Sequence, residues 1–285
     1  MTANQATILA SEVRMMKSKS SGREYRISIA LPYAYFDSPN KSWPNDNPLE
    51  KWPVVYLTDA NWYFGMVTDM VRQMAWCDST TDAIIVGIGY PEEDKDAAEV
   101  MLDTAAWRQK DFLPVRDEKV EEKFSKFLER KVETGGAGNF LEFIKQELIP
   151  TIEAEFKADP KRRILAGHSF GGIFSAFALL KEPGLFESYV IASPSLGYGD
   201  QYVFKQEEEY ARSHKKLPAK VYLCVGGLEE STDIFMVSNM VRFGAILEGR
   251  KYKGLSLVSK IFANENHCEV VPLCFQAGLK MALKK

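Results

Sequence analysis

The feature that most constrains this chain is an alternation of short, unbroken apolar runs with longer segments in which apolar residues recur every three or four positions. PVVYLTD at 53–59, DAIIVGIGY at 82–90, RRILAG at 162–167, SYVIAS at 188–193, AKVYLCVGG at 219–227 and LSLVSKIFA at 255–263 have the β-branched and aromatic character of strands covered on both faces. Segments 63–75, 140–157, 170–181, 233–248 and 269–283 have helical spacing; in 140–157, Phe140, Phe143, Ile144, Leu148, Ile152 and Phe156 make one apolar face. Such alternation demands crossover connections. The expected fold is therefore α/β, a mainly parallel twisted sheet with six buried strands, helices on both faces and ligands bound beyond the carboxyl ends of the strands. Upstream, 7–16 and 24–31 alternate partially and end at Pro32 and the turn-rich DSPNKSWPNDNP, predicting an opening antiparallel pair.

A chain of 285 residues can bury one large core, and a single domain over 1–285 is expected. Two stretches, 91–139 and 194–217, break the repeat after strands, on the edge where a site belongs, and are read equally as pocket-shaping excursions or as surface decoration. With 36 basic and 39 acidic residues, a net charge of -3 and no basic run, nucleic acid is an unpromising partner. Cys77, Cys224, Cys268 and Cys274 form no C-x-x-C pair and are expected to be reduced. The first residues lack the apolar core of a signal peptide, and no run approaches the roughly 20 apolar residues of a membrane span. A soluble, cytoplasmic protein is the expectation. A homodimer is compatible with the sequence, although no feature specifies one.

Gly167-His168-Ser169-Phe170-Gly171 matches G-x-S-x-G, in which a strained strand-to-helix turn lifts a serine hydroxyl above the sheet. The pattern is short enough to arise by chance, but here RRILA runs into it as a strand and GGIFSAFALL runs out as a helix. Ser169 is thus the candidate nucleophile, against the plainer reading of a glycine-rich turn.

A serine hydroxyl needs a base, and in sheets of this kind the partners follow as Ser, acid, His. Of the three histidines, His168 adjoins the serine and cannot readily fold back on it, and His214 lies in the basic, exposed-looking ARSHKK. His267, in NENHCEV after the last strand, is the candidate base, with a capping histidine as the alternative. The acid belongs after AKVYLCVGG, where Glu229, Glu230 and Asp233 are all available. Glu229 is favoured by its place two residues past Gly226-Gly227, and Asp233 reads as a helix-opening residue. Oxyanion donors are expected from the Phe170 amide and from the Asp59-Ala60-Asn61 turn, Asn61 over Ala60. Trp62, Tyr63 and Phe64 are read as pocket wall or as core, and Tyr198, in the second excursion, as a substrate-contacting residue. No metal or organic cofactor is called for by these residues.

With YRISIALP, PVVYLTDANWYFG, IIVGIGYP, GGAGNFLEFIKQELIPTIE, GHSFGG, SPSLGYGD, VGGLEES and NENH in this order over most of 23–275, the chain resembles the esterase family of α/β-hydrolases that includes enterochelin (siderophore) esterases and S-formylglutathione hydrolase-like enzymes. The resemblance implies an α/β-hydrolase fold and a serine esterase acting on a small or medium ester or lactone. It implies Ser169 as nucleophile, His267 as base, the acid at Glu229, and oxyanion donors near Asn61 and at Phe170. It also implies a substrate-facing arginine, for which WRQKDFLPV offers Arg108 with Asp111 and Pro114; the alternative is an arginine that pins the loop to the core. Ala60 stands where many members have glycine. An acyltransferase or thioesterase on the same residues, or a catalytically idle binding module, are the alternative functions.

Overall fold

A computed structural model of the chain describes residues 7–36, 49–92, 94–231 and 235–285. The turn-rich stretch at 37–48 and the candidate acid Asp233 lie outside the described residues.

Strands β1 (Ser11–Lys17), β2 (Glu24–Ala30), β3 (Trp52–Leu57), β4 (Ile84–Gly89), β5 (Ala158–His168), β6 (Ser188–Ala192), β7 (Lys216–Gly226) and β8 (Lys253–Phe262) form one sheet in the order β1-β2-β4-β3-β5-β6-β7-β8. The β1–β2 pairing is antiparallel, as the opening segments predict; β2–β4 is antiparallel as well, and the others are parallel. Side-chain alternation along a strand feeds two cores. From β3, Val54 and Tyr56 enter the larger cluster, while Val55 and Leu57 enter the smaller one. Helices α1 (Ala60–Trp76) and α9 (Val270–Ala282) cover the smaller cluster. The opposite face is covered chiefly by α6 (Phe170–Lys181), α4 (Ala137–Phe143) and α5 (Ile149–Glu155).

The helical segment expected over 140–157 contains a π turn, Ile144–Leu148, joining α4 to α5. Pro150 follows it, and a residue with no amide proton cannot complete the ladder to the carbonyl four residues back. β8 departs from expectation more sharply. It is the sheet edge, and Val258 and Ile261 are exposed, so it is not a strand covered on both faces. Its Ser256, Ser259 and Lys260 interrupt the apolar run, as suits a strand with one open side.

The two excursions are helical. The first carries α2 (Ala97–Phe112), opened by an Asp96–Glu99 capping box, and α3 (Glu118–Leu128), whose first amides bind Asp117. The second carries α7 (Tyr198–Ser213), and α8 (Met236–Arg250) follows β7. Among the described residues no helix is long and apolar enough to cross a membrane. Cys224 and Cys274 are buried thiols, whereas Cys77 and Cys268 are exposed free thiols.

Candidate active site

Ser169 joins β5 to α6 with φ 60° and ψ -115°, a backbone conformation that costs a non-glycine residue on the order of 1–3 kcal/mol and persists only where the surroundings enforce it. They do so by crowding. A Cβ on Gly167 would lie 2.2 Å from the Gly171 carbonyl oxygen, and one on Gly171 would lie 2.3 Å from Thr58 Oγ1. Gly167 is thus required by backbone contact and Gly171 by the buried Thr58 side chain, and the Ser169 amide is held by the Ala192 carbonyl at 2.9 Å. Phe170 opens α6, so its amide has no acceptor within the helix and is free for a ligand.

Glu229 lies in the turn after β7 and is 8% exposed. Its Oε1 accepts from Ser193 Oγ at 2.6 Å and from the Gly226 amide at 2.6 Å, and its Oε2 meets His267 Nδ1 at 2.5 Å. A buried carboxylate without a cation needs such donors. An Nδ1 proton given to Glu229 leaves Nε2 of His267 as the basic nitrogen. The His267 side chain is 43% exposed, so its ring is open to solvent. Glu230 points elsewhere: its carboxylate accepts the Val237 and Ser238 amides and the Ser238 hydroxyl, closing the first turn of α8. These hydrogen bonds, the Ser238 hydroxyl first, hold its carboxyl below the usual range.

Ser193 was not singled out by the sequence. It follows the last residue of β6 with φ 40° and is fully buried, and only the strand order makes β6 the neighbour of β7, after which Glu229 receives its hydroxyl. The SPS tripeptide was the available signal.

His168, also buried, has its ring centroid 4.4 Å from that of His267, and its Nδ1 is 3.3 Å from the Tyr63 hydroxyl. Burial first, then His267 and Arg108, push His168 well below the usual histidine range and hold it neutral. His214 is exposed and stacks on Tyr210.

On the other side of the elbow, Asp59 caps α1 in a left-handed conformation, with φ 57°. Its carbonyl accepts the Trp62 and Tyr63 amides, so the preceding amides of Ala60 and Asn61 are those without a partner in the helix. The Asn61 side chain is otherwise engaged: Oδ1 accepts the Tyr90 amide at 2.8 Å, and Nδ2 donates to the Tyr90 carbonyl and to Glu92, both at 2.9 Å. Only its main chain is available to an oxyanion. The Ala60 methyl is accommodated against Gly87, where a second Cβ would stand 2.8 Å away.

Arg108 is placed differently from a substrate-holding residue. Its Nε and Nη2 bind both carboxylate oxygens of Asp59 at 2.6 and 2.8 Å, Nη2 also reaches the His168 carbonyl at 3.4 Å, and the side chain is 8% exposed. Its guanidinium further faces the rings of Trp62, Phe112 and Phe170. That is an arginine pinning the turn at Asp59 that opens α1, with its charge satisfied inside the protein. The half-buried Trp62 stacks with it, and its indole N–H is buried without a hydrogen-bond partner. Tyr198 donates its hydroxyl to the Val115 carbonyl at 2.7 Å and turns its ring edge toward Phe170. Phe124 of α3 meets Phe170 from the first excursion, with ring centroids 6.2 Å apart. Both excursions therefore rest on the residue that follows Ser169.

Residues 18–241 match the family described as "Putative esterase". The ferri-bacillibactin esterase BesA of Bacillus subtilis (strain 168) is 33% identical over 288 residues, covering 99% of this chain and 92% of that protein. The chain belongs to this esterase family. Its members thus include an ester hydrolase similar along nearly the whole chain, and the fold agrees: the crystal structure of the BES protein from Bacillus cereus superposes with a TM-score of 0.79 at 29% identity, covering 100% of this chain and 99% of that one. The siderophore triacetylfusarinine C esterase of Aspergillus fumigatus is 28% identical over 91% of this chain and 89% of its own length. The sheet with helices on both faces is an α/β-hydrolase fold, as the resemblance implied.

Proposed function

We propose that this member of the family is a serine carboxylic-ester hydrolase that works through an acyl-enzyme. Ser169 Oγ attacks the ester carbonyl carbon while His267 Nε2 takes its proton. The tetrahedral oxyanion is received by the amides of Phe170 and Asn61, each donor contributing roughly 10²–10³-fold in kcat. Collapse breaks the bond to the alcohol, whose oxygen takes the proton from His267. Water then attacks the acyl-enzyme by the same route, His267 accepting its proton and returning it to Ser169 as the acid leaves. Glu229 keeps His267 in the required tautomer and faces the imidazolium that forms at each half-reaction.

The observation that carries this reading is the geometry of Glu229, which is held by Ser193 and Gly226 on one oxygen and bound to His267 Nδ1 on the other, with the ring of His168, the residue before the strained Ser169, 4.4 Å from that of His267. Substrates are proposed to be esters or lactones of siderophore type, on the strength of the two relatives named for siderophore esterases. Phe170, Phe124, Tyr198 and Trp62 would form the wall beside the acyl group. Phe127, 78% exposed, lines a shallow hollow on α3 with Phe124, Lys123 and Lys126, a surface suited to an aromatic, acidic body.

The test is a panel of chromogenic short-acyl esters, a thioester, and a lactone siderophore in its ferric and metal-free forms, run with wild type and Ser169→Ala. Loss of about 10⁶-fold in kcat in the variant is expected. A Ser169→Ala enzyme as fast as wild type would refute the mechanism, and dominant transfer to added alcohol would make the protein an acyltransferase.

A further inference from the structure

We propose that His168 and Tyr63 form a positioning device for the base: the His168 ring, tied to the Tyr63 hydroxyl, is the face on which His267 rests and sets its reach toward Ser169. The inference depends on His267 acting as the base of Ser169.

One hydrogen bond, Nδ1 to Glu229, leaves an imidazole free to swing about the line of that bond, and His267 stands on an exposed loop. A second contact is needed to fix the ring plane. The His168 ring provides it, 4.4 Å away and tilted by 43°, from a residue only 3% exposed and clamped at the end of β5. Tyr63 braces His168 from α1, ring edge toward the imidazole, with its hydroxyl 3.3 Å from Nδ1. Tyr63 in turn packs edge-on against Phe275 of α9, the helix that follows His267. The oxyanion helix, the elbow and the base loop are thereby located against one another through two side chains.

The charge at this place is also suited to the task. The titratable and charged groups facing His168 are Tyr63 from α1, Arg108 from α2 and His267 from the loop after β8. Burial keeps the Tyr63 hydroxyl protonated and His168 neutral, so the 3.3 Å contact between them joins two uncharged groups. When His267 takes the serine proton, it meets the face of an uncharged ring and not a second cation.

The experiment measures kcat and KM per active site, counted by exhaustive fluorophosphonate labelling of Ser169, for wild type, Tyr63→Phe, His168→Phe, His168→Leu and His168→Asn. Small displacements of a catalytic group cost up to about 10²-fold, so His168→Leu and His168→Asn should lose roughly 10- to 100-fold in kcat with little change in KM. His168→Phe, which keeps a ring, should recover most of that loss, and Tyr63→Phe should fall between it and wild type. A merely structural role would lower the labelled fraction or the melting temperature and leave kcat per site unchanged, which overturns the proposal. So would a His168→Phe enzyme no better than His168→Leu. Should His168→Leu fail to fold, an undiminished kcat in Tyr63→Phe overturns it equally. Wild type that is not labelled at Ser169 would instead defeat the underlying mechanism, a result distinct from labelled variants that turn over normally.

Discussion

Arg108 grips both carboxylate oxygens of Asp59 from 49 residues away in sequence, and the pair is buried directly behind the turn that presents the Ala60 and Asn61 amides. Burial pushes the Asp59 carboxyl up, and the guanidinium opposes that shift by pairing with the charged form. Removing one partner leaves the other charge buried alone. Arg108→Met should therefore cost about 3–5 kcal/mol in a urea unfolding titration. Arg108→Lys should recover only part of it, because an ammonium cannot span two oxygens. A midpoint equal to wild type in Arg108→Met would contradict a structural role for the pair.

Ser193 supplies one of the donors that seat Glu229. Ser193→Ala leaves a buried carboxylate oxygen one bond short, at a cost of about 1–3 kcal/mol. The expected kinetic signature is a kcat lowered by about tenfold with KM unchanged, since a loosened acid orients His267 less well and touches no substrate. Steady-state kinetics alongside thermal unfolding reads both effects.

Glu229 and its neighbour should separate cleanly. Glu229→Gln presents an amide where the Nδ1 proton of His267 needs an acceptor, and about 10⁴-fold in kcat should be lost, the scale seen when an orienting acid is neutralised. Glu230→Gln weakens only the closure of α8, so turnover should be retained. If the order of the two effects were reversed, the acid would have to be reassigned.

The neutral state of His168 has a thermodynamic consequence. An unfolded histidine takes up a proton near pH 6.5, whereas buried His168 does not until far lower pH. Between those values the unfolded chain binds more protons, so stability falls as pH falls, by at most about 1.4 kcal/mol per pH unit from this one group. The groups facing it, Tyr63, Arg108 and His267, add no negative charge to oppose the effect. Asp82, raised to about 6 by burial, works in the opposite direction and is common to wild type and variant. Melting temperatures from pH 7.5 to 5 should thus decline less steeply for His168→Phe than for wild type, and equal slopes would show that His168 does not carry the effect.

The alternation of strand and helix was legible because periodicity is a local property, and so were the elbow, which needs small residues at fixed spacing, and the place of His267, which followed from a scarcity of histidines. The parts that were not legible depend on contacts distant in sequence. Arg108 looks the same in sequence whether it meets a substrate or Asp59. Ser193 becomes a partner of Glu229 only once β6 and β7 are neighbours. β8 reads as covered on both faces because its apolar residues are close together, although position at the sheet edge decides exposure. Glu230 and Glu229 are adjacent in sequence, and backbone direction alone sends one to α8 and the other to His267.

Phe170 ties the two excursions to the elbow at Ser169. Its ring is touched from α3 by Phe124, from α7 by Tyr198 and from α2 by Arg108, while its own amide opens α6 beside Ser169. On the proposed mechanism, selectivity and speed share a hinge pin. A change that removes bulk at Phe124 or Tyr198 also unloads the backbone next to Ser169, so adaptation to a bulkier ester would be expected to need a second change that tightens Phe170 before turnover returns.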